Sequence, residues 1–326
     1  MIISKTPLRM SFVGGGSDLP GFYRRYGGAV LSTSIDKFVY VNVNRKFDDG
    51  IRIAYSKTEE VSSVDQIQHQ LVRACMEHLQ LSGGIEITTI ADIPSKGTGL
   101  GSSSSFTVGL LHALNAYQGR YVSKETLGAD SCYIEIDHCG EPIGKQDQYA
   151  AAYGGFNLIE FHPDDSVVVT PVICQRDTLL AIENNIIVFY TGITRSASKL
   201  LEQQSAQVDS EADKQKVLRR MVQLTYDLRT EIQNDNEAVF GEILHENWML
   251  KKSLTQGIST EAIDDWYAAA RAAGATGGKI LGAGAGGFLM LYAPQERHDA
   301  ITAALPDLRR IKMGFERQGS AIIFYH

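Results

Sequence analysis

The chain has 326 residues, of which 44% are hydrophobic and 21% charged, with a net charge of −7 and an isoelectric point near 5.6. This length suits two domains, or one large domain, with enough apolar residues for real cores. The acidic balance and the lack of a basic run disfavour nucleic-acid binding, and no apolar stretch approaches the ~18 residues that a membrane span requires. The amino terminus lacks a signal-peptide layout and the four cysteines form no CxxC pair, so we expect reduced thiols in a cytoplasmic protein.

In chain order, the first part is dominated by strand patterns with helices between them. The patterns predict strands at 38–43, 51–55, 85–90, 156–161, 167–172 and 186–190, and helices near 64–79, 106–117 and 124–138. From 195 to about 273 helical spacing prevails, and short strands return at 288–292 and 321–325 with a helix near 295–304 between them. Mixed helix and strand blocks without regular βαβ alternation favour an α+β architecture, which we divide into residues 1–185 and 186–326.

A Gly/Ser-rich loop, residues 97–105, joins the strand at 85–90 to the helix that ends near Tyr117. Glycines let a backbone curl and turn several N–H groups toward one point, and the following helix adds its own unpaired N–H groups and positive dipole end. Such a place suits a phosphate, and its serines offer hydroxyls to a phosphate or its metal. A serine-capped helix after a flexible turn is the structural alternative.

Two further glycine-rich segments occupy residues 14–18 and 282–287, and the second matches the GxGxxG pattern of dinucleotide-binding proteins. That pattern requires a helix after it, whereas a strand follows here, so the dinucleotide interpretation fails on context. The remaining interpretation of residues 282–287 is a tight turn whose backbone passes close to another segment.

Two carboxylates and one cation are candidates for chemistry. Asp147 follows a break at Pro142 and Gly144 and is expected in the first turns of a new helix. It could accept a proton from a substrate hydroxyl, with Arg9 as a neighbouring cation that keeps it ionised, although an acid there is also simply a good helix starter. Glu135 could hold a divalent metal against phosphates; a surface role is the alternative.

Together the three glycine-rich segments, each with its flanking residues (7–18, 97–105 and 279–287), resemble the motifs of the GHMP kinase superfamily over essentially the whole chain. The resemblance implies a first domain like the second domain of ribosomal protein S5 and a ferredoxin-like second domain, with ATP and acceptor between them. It implies Asp147 and Arg9 as catalytic residues, Ser103 (or Ser102) and Glu135 as Mg²⁺ ligands, and Asp18 as a partner of sugar hydroxyls. The residues implied to bind ATP are Lys96, Gly97, Thr98, Gly99, Leu100, Gly101, Ser102, Ser103 and Ser104. Further substrate-binding residues are Gly15, Gly16 and Ser17, and the turn at the active site contains Gly282, Gly284, Gly286 and Gly287.

Within the superfamily, residues 6–20 and 142–151 are similar to those of D-glycero-D-manno-heptose 7-phosphate kinases, whereas galactokinases carry Glu-His where this chain has Gly15-Gly16. The reaction implied is ATP-dependent phosphorylation of the anomeric C1 hydroxyl, which gives heptose 1,7-bisphosphate for surface polysaccharide. A kinase of L-fucose or a hexose, or a non-catalytic sugar and nucleotide sensor, are the alternatives.

A phosphorylated acceptor needs a second anion site. Arg195 is one candidate, Lys145 and the Arg24-Arg25 pair are others, and an ordinary surface role for Arg195 is the alternative. The expected partners are ATP and a small sugar or sugar phosphate, with Mg²⁺ as cofactor and neither nucleic acid nor membrane. A homodimer is compatible with these expectations.

Overall fold

A computed structural model of the chain describes residues 1–93, 97–193, 200–203, 206–207 and 211–326. The strands are β1 (Ile2–Val13), β2 (Gly28–Arg45), β3 (Ile51–Ala54), β4 (Thr58–Val61), β5 (Ile85–Ala91), β6 (Phe156–Phe161), β7 (Val167–Pro171), β8 (Ile186–Tyr190), β9 (Gly277–Ile280), β10 (Phe288–Tyr292), β11 (Arg309–Ile311), β12 (Phe315–Glu316) and β13 (Ala321–Tyr325). The helices are α1 (Pro20–Tyr26), α2 (Gln70–His78), α3 (Ser102–Tyr117), α4 (Lys124–Cys132), α5 (Gln146–Tyr153), α6 (Arg176–Asn185), α7 (Ala212–Gln233), α8 (Phe240–Leu254), α9 (Glu261–Ala272) and α10 (His298–Ala304).

The first sheet is built around the long strand β2. Within the described residues it has nine strands, with the order β13-β1-β2-β5-β3-β4 along its main path. The first half of β2 pairs with β6 and its second half with β5, while β1 runs antiparallel to β2 along most of its length. Helix α3 packs on β1, where Ser4 Oγ donates a hydrogen bond to the Gly109 carbonyl at 2.8 Å.

The second sheet has the order β11-β8-β10-β9, and each of its neighbouring pairs is antiparallel. Its strands follow the chain as one strand, a helical block, two strands, helix α10 and a last strand. This β-α-β-β-α-β course with the first and third strands in the centre is a ferredoxin-like arrangement. The predicted two-domain α+β architecture is therefore confirmed.

The division at residues 185 and 186 stays a prediction, and the end of the chain departs from it. Strand β13 pairs with β1, and β12 pairs with β2, so the last two strands belong to the first sheet. One apolar core also spans both halves: Phe12 of β1 packs against Phe240 of α8 with ring centroids 5.2 Å apart. The chain therefore leaves the first sheet after the first half and returns to it with β12 and β13. The return is needed because β13 covers the edge of β1.

Two local departures from the predicted elements have visible causes. Helix α2 begins at Gln70 rather than near 64, because Glu59 accepts hydrogen bonds from the N–H groups of Gln68 and His69 and holds that segment extended. The helix predicted over 124–138 is present, but its last six residues, Tyr133–His138, form a π-helical turn. The sequence patterns did not predict β1, β4, β9, β11, β12, α1 or α6. In the described ranges of the chain, no helix is both long enough and apolar enough to cross a membrane.

Candidate active site

Arg9 joins the loop at 97–101 to Asp147. Its guanidinium donates two hydrogen bonds to Asp147, from Nε to Oδ1 at 2.7 Å and from Nη2 to Oδ2 at 2.8 Å. A third bond runs from Nη1 to the carbonyl of Gly99 at 2.7 Å. The Arg9 side chain is only 4% exposed, whereas that of Asp147 is 23% exposed. The arginine is thus a buried anchor, and the carboxylate that it orients remains accessible.

The same carboxylate lies against the amino terminus of α3. A methyl group placed on Gly101, the residue that precedes α3, would come within 3.2 Å of Asp147 Oδ2. No acidic residue lies in the first turn of α3 itself, so its free N–H groups and positive dipole end are not neutralised from within the helix. The site therefore places a proton acceptor beside a helix end that suits phosphate.

The segment 281–287 packs directly against the loop at 97–101. Added methyl groups at Gly99 and Gly282 would each overlap backbone atoms of the opposite segment, and one at Gly287 would overlap the Thr98 carbonyl. The turn connects β9 to β10, so the strand predicted after it is present, and its backbone passes close to another segment, as expected. The glycines are needed here because two backbones touch without room for a side chain.

Glu135 lies in the π-helical turn and faces the start of α3. It is 1% exposed, and its carboxylate accepts hydrogen bonds from Ser103 Oγ at 3.0 Å and Gln148 Nε2 at 2.6 Å. Burial raises the pKa of Glu135 to about 7, although hydrogen bonds from Ser104, Gln148 and Ser103 act in the opposite direction. The buried Glu135 carboxylate and the Gln148 Oε1 atom, which has no hydrogen-bond partner among the described residues, are oxygen groups that suit a cation.

The structure distinguishes Ser103 from Ser102, the two serines that the sequence left as alternative Mg²⁺ ligands. Ser103 is exposed and reaches Glu135, whereas Ser102 is 6% exposed and its hydroxyl pairs with that of Thr98 at 3.3 Å. Magnesium prefers oxygen ligands and is commonly held by one or two carboxylates together with substrate phosphates, so Glu135 and Ser103 fit it. No cluster of three or more His, Cys, Asp or Glu side chains able to hold a metal occurs within the described ranges.

Asp18 lies beside this centre, in the first glycine-rich segment. Its Oδ1 accepts a hydrogen bond from Gly16 N at 3.0 Å and its Oδ2 one from Gln146 N at 3.3 Å. Burial raises the pKa of Asp18, and the charge of Asp147 raises it further. The predicted contact of Ser17 with substrate is not favoured, since its hydroxyl is fully buried and exchanges two hydrogen bonds with the backbone of Ala29.

The predicted anion-binding cations are only partly described. Lys96 and Arg195 lie outside the described residues. Lys145 and Arg24 both bind Asp165, at 3.1 Å each, which makes a free phosphate site on these two side chains unfavourable. Hydrogen bonds from Tyr23, Arg24 and Lys145 lower the pKa of Asp165 to about 2, although burial opposes them. The Lys145 ammonium is thus paired with a carboxylate in this structure, and its role in substrate binding stays a prediction.

Helix α8 contributes polar residues that sequence reasoning missed. Asn247 is fully buried and Lys251 is 4% exposed; they lie one turn apart. Lys279 of β9 is also buried and donates to the carbonyls of Ser11 and Phe12 at 2.9 and 3.2 Å. A signal was present, since Asn247 and Lys251 interrupt the apolar stripe of a helix at positions that should face the core.

Comparison with known families decides the class. The model of the GHMP kinases N terminal domain matches residues 68–155, and that of the GHMP kinases C terminal matches residues 228–308, together more than half of the chain. The chain belongs to the GHMP kinases. It is an ATP-dependent kinase, as the three glycine-rich segments predicted.

Individual relatives of this GHMP kinase differ in the acceptor that their names state. A D-glycero-alpha-D-manno-heptose 7-phosphate kinase of Campylobacter jejuni is 26% identical over 315 residues, which cover 93% of this chain and 92% of that protein. A mevalonate kinase of Thermococcus sibiricus is 28% identical over 307 residues, 85% of this chain and 86% of its own. The crystal structure of a D-glycero-D-manno-heptose 1-phosphate kinase from Bacteroides thetaiotaomicron superposes with a TM-score of 0.82 at 26% identity, covering 100% of both chains.

Proposed function

We propose that this GHMP kinase uses ATP and Mg²⁺ to phosphorylate the anomeric C1 hydroxyl of D-glycero-D-manno-heptose 7-phosphate, giving the 1,7-bisphosphate. The observation that carries the phosphoryl-transfer chemistry is the bridge by Arg9 between Asp147 and the Gly99 carbonyl. It holds an accessible carboxylate beside the loop and helix end that suit the phosphates of ATP. An acceptor hydroxyl bound at Asp147 would thus face the terminal phosphate.

In this mechanism, catalysis comes mainly from positioning of the reactants and neutralisation of charge. Asp147 accepts a hydrogen bond from the attacking hydroxyl and takes its proton as the new P–O bond forms, while the bond from the transferred phosphorus to the ADP oxygen breaks. Because the transition state of such transfers is largely dissociative, early removal of that proton is not required. Arg9 fixes the orientation of the carboxylate through a planar two-point contact that lysine could not reproduce.

The residues around α3 hold the phosphates. The N–H groups at the start of α3 and of the loop before it donate to phosphate oxygens, as helix amino termini do in other phosphate sites. Glu135 and Ser103 are the proposed ligands of Mg²⁺, which when bound would neutralise charge on the phosphates of ATP. Gln148 keeps the Glu135 carboxylate in place from the side away from Ser103.

The acceptor assignment rests on the first glycine-rich segment and on the two relatives named as heptose phosphate kinases. Those two names place the existing phosphate on different carbons, C7 in one and C1 in the other. Phosphorylation of either monophosphate at the remaining position gives the same 1,7-bisphosphate. The identity of the product therefore cannot decide between them, and the acceptor must be varied.

The test is turnover of ATP by the purified chain against separate acceptors: heptose 7-phosphate, heptose 1-phosphate, free heptose, L-fucose, D-mannose and mevalonate. We expect the highest kcat/KM with heptose 7-phosphate and a new anomeric phosphate signal in the ³¹P NMR spectrum of the product. Preference for the 1-phosphate, for fucose or for mevalonate would overturn the assignment. Binding of ATP and sugar without any turnover would favour a sensor on the same fold.

A cytoplasmic location follows for this proposal from the need for ATP. The bisphosphate would serve enzymes that convert it to a nucleotide-activated heptose for surface polysaccharide.

A further inference from the structure

Helix α8 presents two buried polar side chains to the first glycine-rich segment. Asn247 and Lys251 are separated by four residues and therefore lie on one face of the helix. Asn247 Oδ1 accepts a hydrogen bond from Gly14 N at 3.2 Å. Lys251 Nζ donates one to the carbonyl of Gly282 at 2.9 Å. The second half of the chain thus places a cation and an amide against the first glycine-rich segment.

Lys251 lies beside Gly15, where the missing side chain leaves room for a methyl-sized group at ordinary contact distance. A methyl group built on Gly15 would lie 3.6 Å from Lys251 Nζ, 3.7 Å from Ser11 Oγ and 3.9 Å from Gln146 Nε2. Any larger side chain would fill this space. The absence of one leaves a small region lined by polar atoms. One of these atoms belongs to Gln146, the residue directly before Asp147 in α5.

Three side-chain atoms of residues in this part of the fold have no partner within the described part of the chain. They are Ser11 Oγ, Gln146 Oε1 and Asn247 Nδ2, each buried and without a hydrogen bond. An unsatisfied buried polar atom is costly, and native proteins rarely keep more than a few. Ser11 Oγ has no partner and would lie 3.7 Å from a methyl group on Gly15, which indicates a polar ligand beside Gly15.

The charge of Lys251 points the same way. Burial lowers the pKa of Lys251 to about 8; Asp18 and Asp147 act against this shift and Arg9 acts with it. No carboxylate of the described residues lies within ion-pair distance of its ammonium group, and the Gly282 carbonyl uses only one of its three N–H bonds. A buried ammonium with N–H groups to spare is unfavourable unless a ligand completes its shell.

We propose that Lys251 binds the acceptor, donating a hydrogen bond to a substrate oxygen in the space beside Gly15, and that it helps to set acceptor specificity. This inference rests on the proposed function, because the acceptor is the sugar phosphate assigned above. The oxygen is either a ring hydroxyl or a phosphate oxygen, and substrate analogues distinguish the two.

The test compares Lys251→Met with Lys252→Met in the full chain. Methionine has a similar length without charge, and burying it avoids the cost of desolvating an ammonium group. Lys252, the next residue, pairs with Asp264 at the surface and serves as the matched control. For K251M we expect the acceptor KM and Kd to rise about 10- to 100-fold, the loss of one charged hydrogen bond, with the ATP Kd changed less than about threefold. K252M should change neither.

A second variant does not depend on the lysine. Gly15→Ala adds one methyl group at ordinary van der Waals distance from its neighbours, and Gly15 is not among the residues with positive φ, so the backbone accepts it. It should raise the acceptor Kd at least about fivefold by filling the space, again with ATP binding retained. Urea unfolding of each variant confirms that the fold is intact.

The possible outcomes are distinguishable. Acceptor and ATP affinities that change together, or an acceptor affinity unchanged in both K251M and G15A, would overturn the role of Lys251. Either result would leave the proposed function standing. No turnover of heptose 7-phosphate by the wild type would overturn the proposed function and this inference with it. If K251M loses its preference for heptose 7-phosphate over free heptose, the lysine contacts the phosphate; if it loses discrimination against a single deoxy analogue, it contacts that hydroxyl.

Discussion

Replacing Asp147 by Asn separates the chemical role of this carboxylate from its structural role. Asparagine has nearly the same shape, but its amide offers one oxygen where the carboxylate offers two. Arg9 now donates to both oxygens, at 2.7 and 2.8 Å, and would keep only one of these bonds. Its third bond, to the Gly99 carbonyl, does not involve Asp147 and should persist.

The structure sets the scale of each effect. A proton acceptor contributes roughly 10²- to 10⁴-fold to a rate, or about 3–5 kcal/mol of barrier, so kcat should fall by that factor. One hydrogen bond between charged groups is worth about 1.5–3 kcal/mol, and the 23% exposure of the Asp147 side chain places the loss of unfolding free energy near the lower end. The ATP Kd should change by less than about threefold, since the loop and the start of α3 are retained.

The assay is a single-turnover measurement by rapid quench with saturating ATP and acceptor, accompanied by ATP titration calorimetry and urea unfolding. Asp213→Asn is the control, because that side chain is 89% exposed and pairs only with Lys216 among the ion pairs of the described residues. A folded D147N that keeps more than a tenth of the wild-type rate would refute the role as proton acceptor. It would leave Arg9 and the helix end to carry the catalysis.

Three further predictions concern the phosphate side of the site. Ser103→Ala should raise the Mg²⁺ concentration for half-maximal rate about tenfold or more, whereas Ser102→Ala should change it less than about twofold. Gly99→Ala should cost about 2–5 kcal/mol of unfolding free energy and raise the ATP Kd, because its φ is 74° and the methyl group overlaps the facing turn. Because burial raises the pKa of Glu135 from 4.5 to about 7, its protonated form stabilises the fold fully below pH 4.5, and this contribution is lost as the pH rises through 7. In metal-free buffer the wild type should lose about 2–3 kcal/mol more than Glu135→Gln between pH 5 and pH 8.

Each of these has a clear contrary result. Equal Mg²⁺ requirements for the two serine variants would remove Ser103 as a metal ligand. Gly119 has a φ of 71° with no atom within 4 Å of an added methyl group, so Gly119→Ala shows the backbone cost alone, about 1–2 kcal/mol. If G99A is no worse than G119A, the contact with the facing turn is unimportant. Parallel pH profiles of unfolding for wild type and E135Q would show that Glu135 does not titrate in this range.

Much of the nucleotide side was predictable from short stretches of sequence. The strand β5, the Gly/Ser loop and α3 follow one another within a few tens of residues, and their apolar spacing and glycine content act locally on the backbone. The strand pattern after the third glycine-rich segment likewise excluded a dinucleotide fold, because that fold requires a helix at this place. Arg9 was proposed as the neighbouring cation of Asp147 from the sequence and again through the family resemblance, and the catalytic roles of both residues stay predictions.

The acceptor side was decided by packing between distant segments. Lys145 was expected to bind substrate, but the turn after β6 supplies Asp165, whose carboxylate forms an ion pair with Lys145 in this structure. Lys251 and Asn247 interrupt the apolar stripe of α8, but only the docking of α8 on the first glycine-rich segment brings them beside Gly15 and Gly14 respectively. Local spacing governs which residues form a helix, a strand or a loop, because those preferences belong to the backbone. Which buried cation meets which open space depends on how two halves of the chain pack, and no short pattern contains that information.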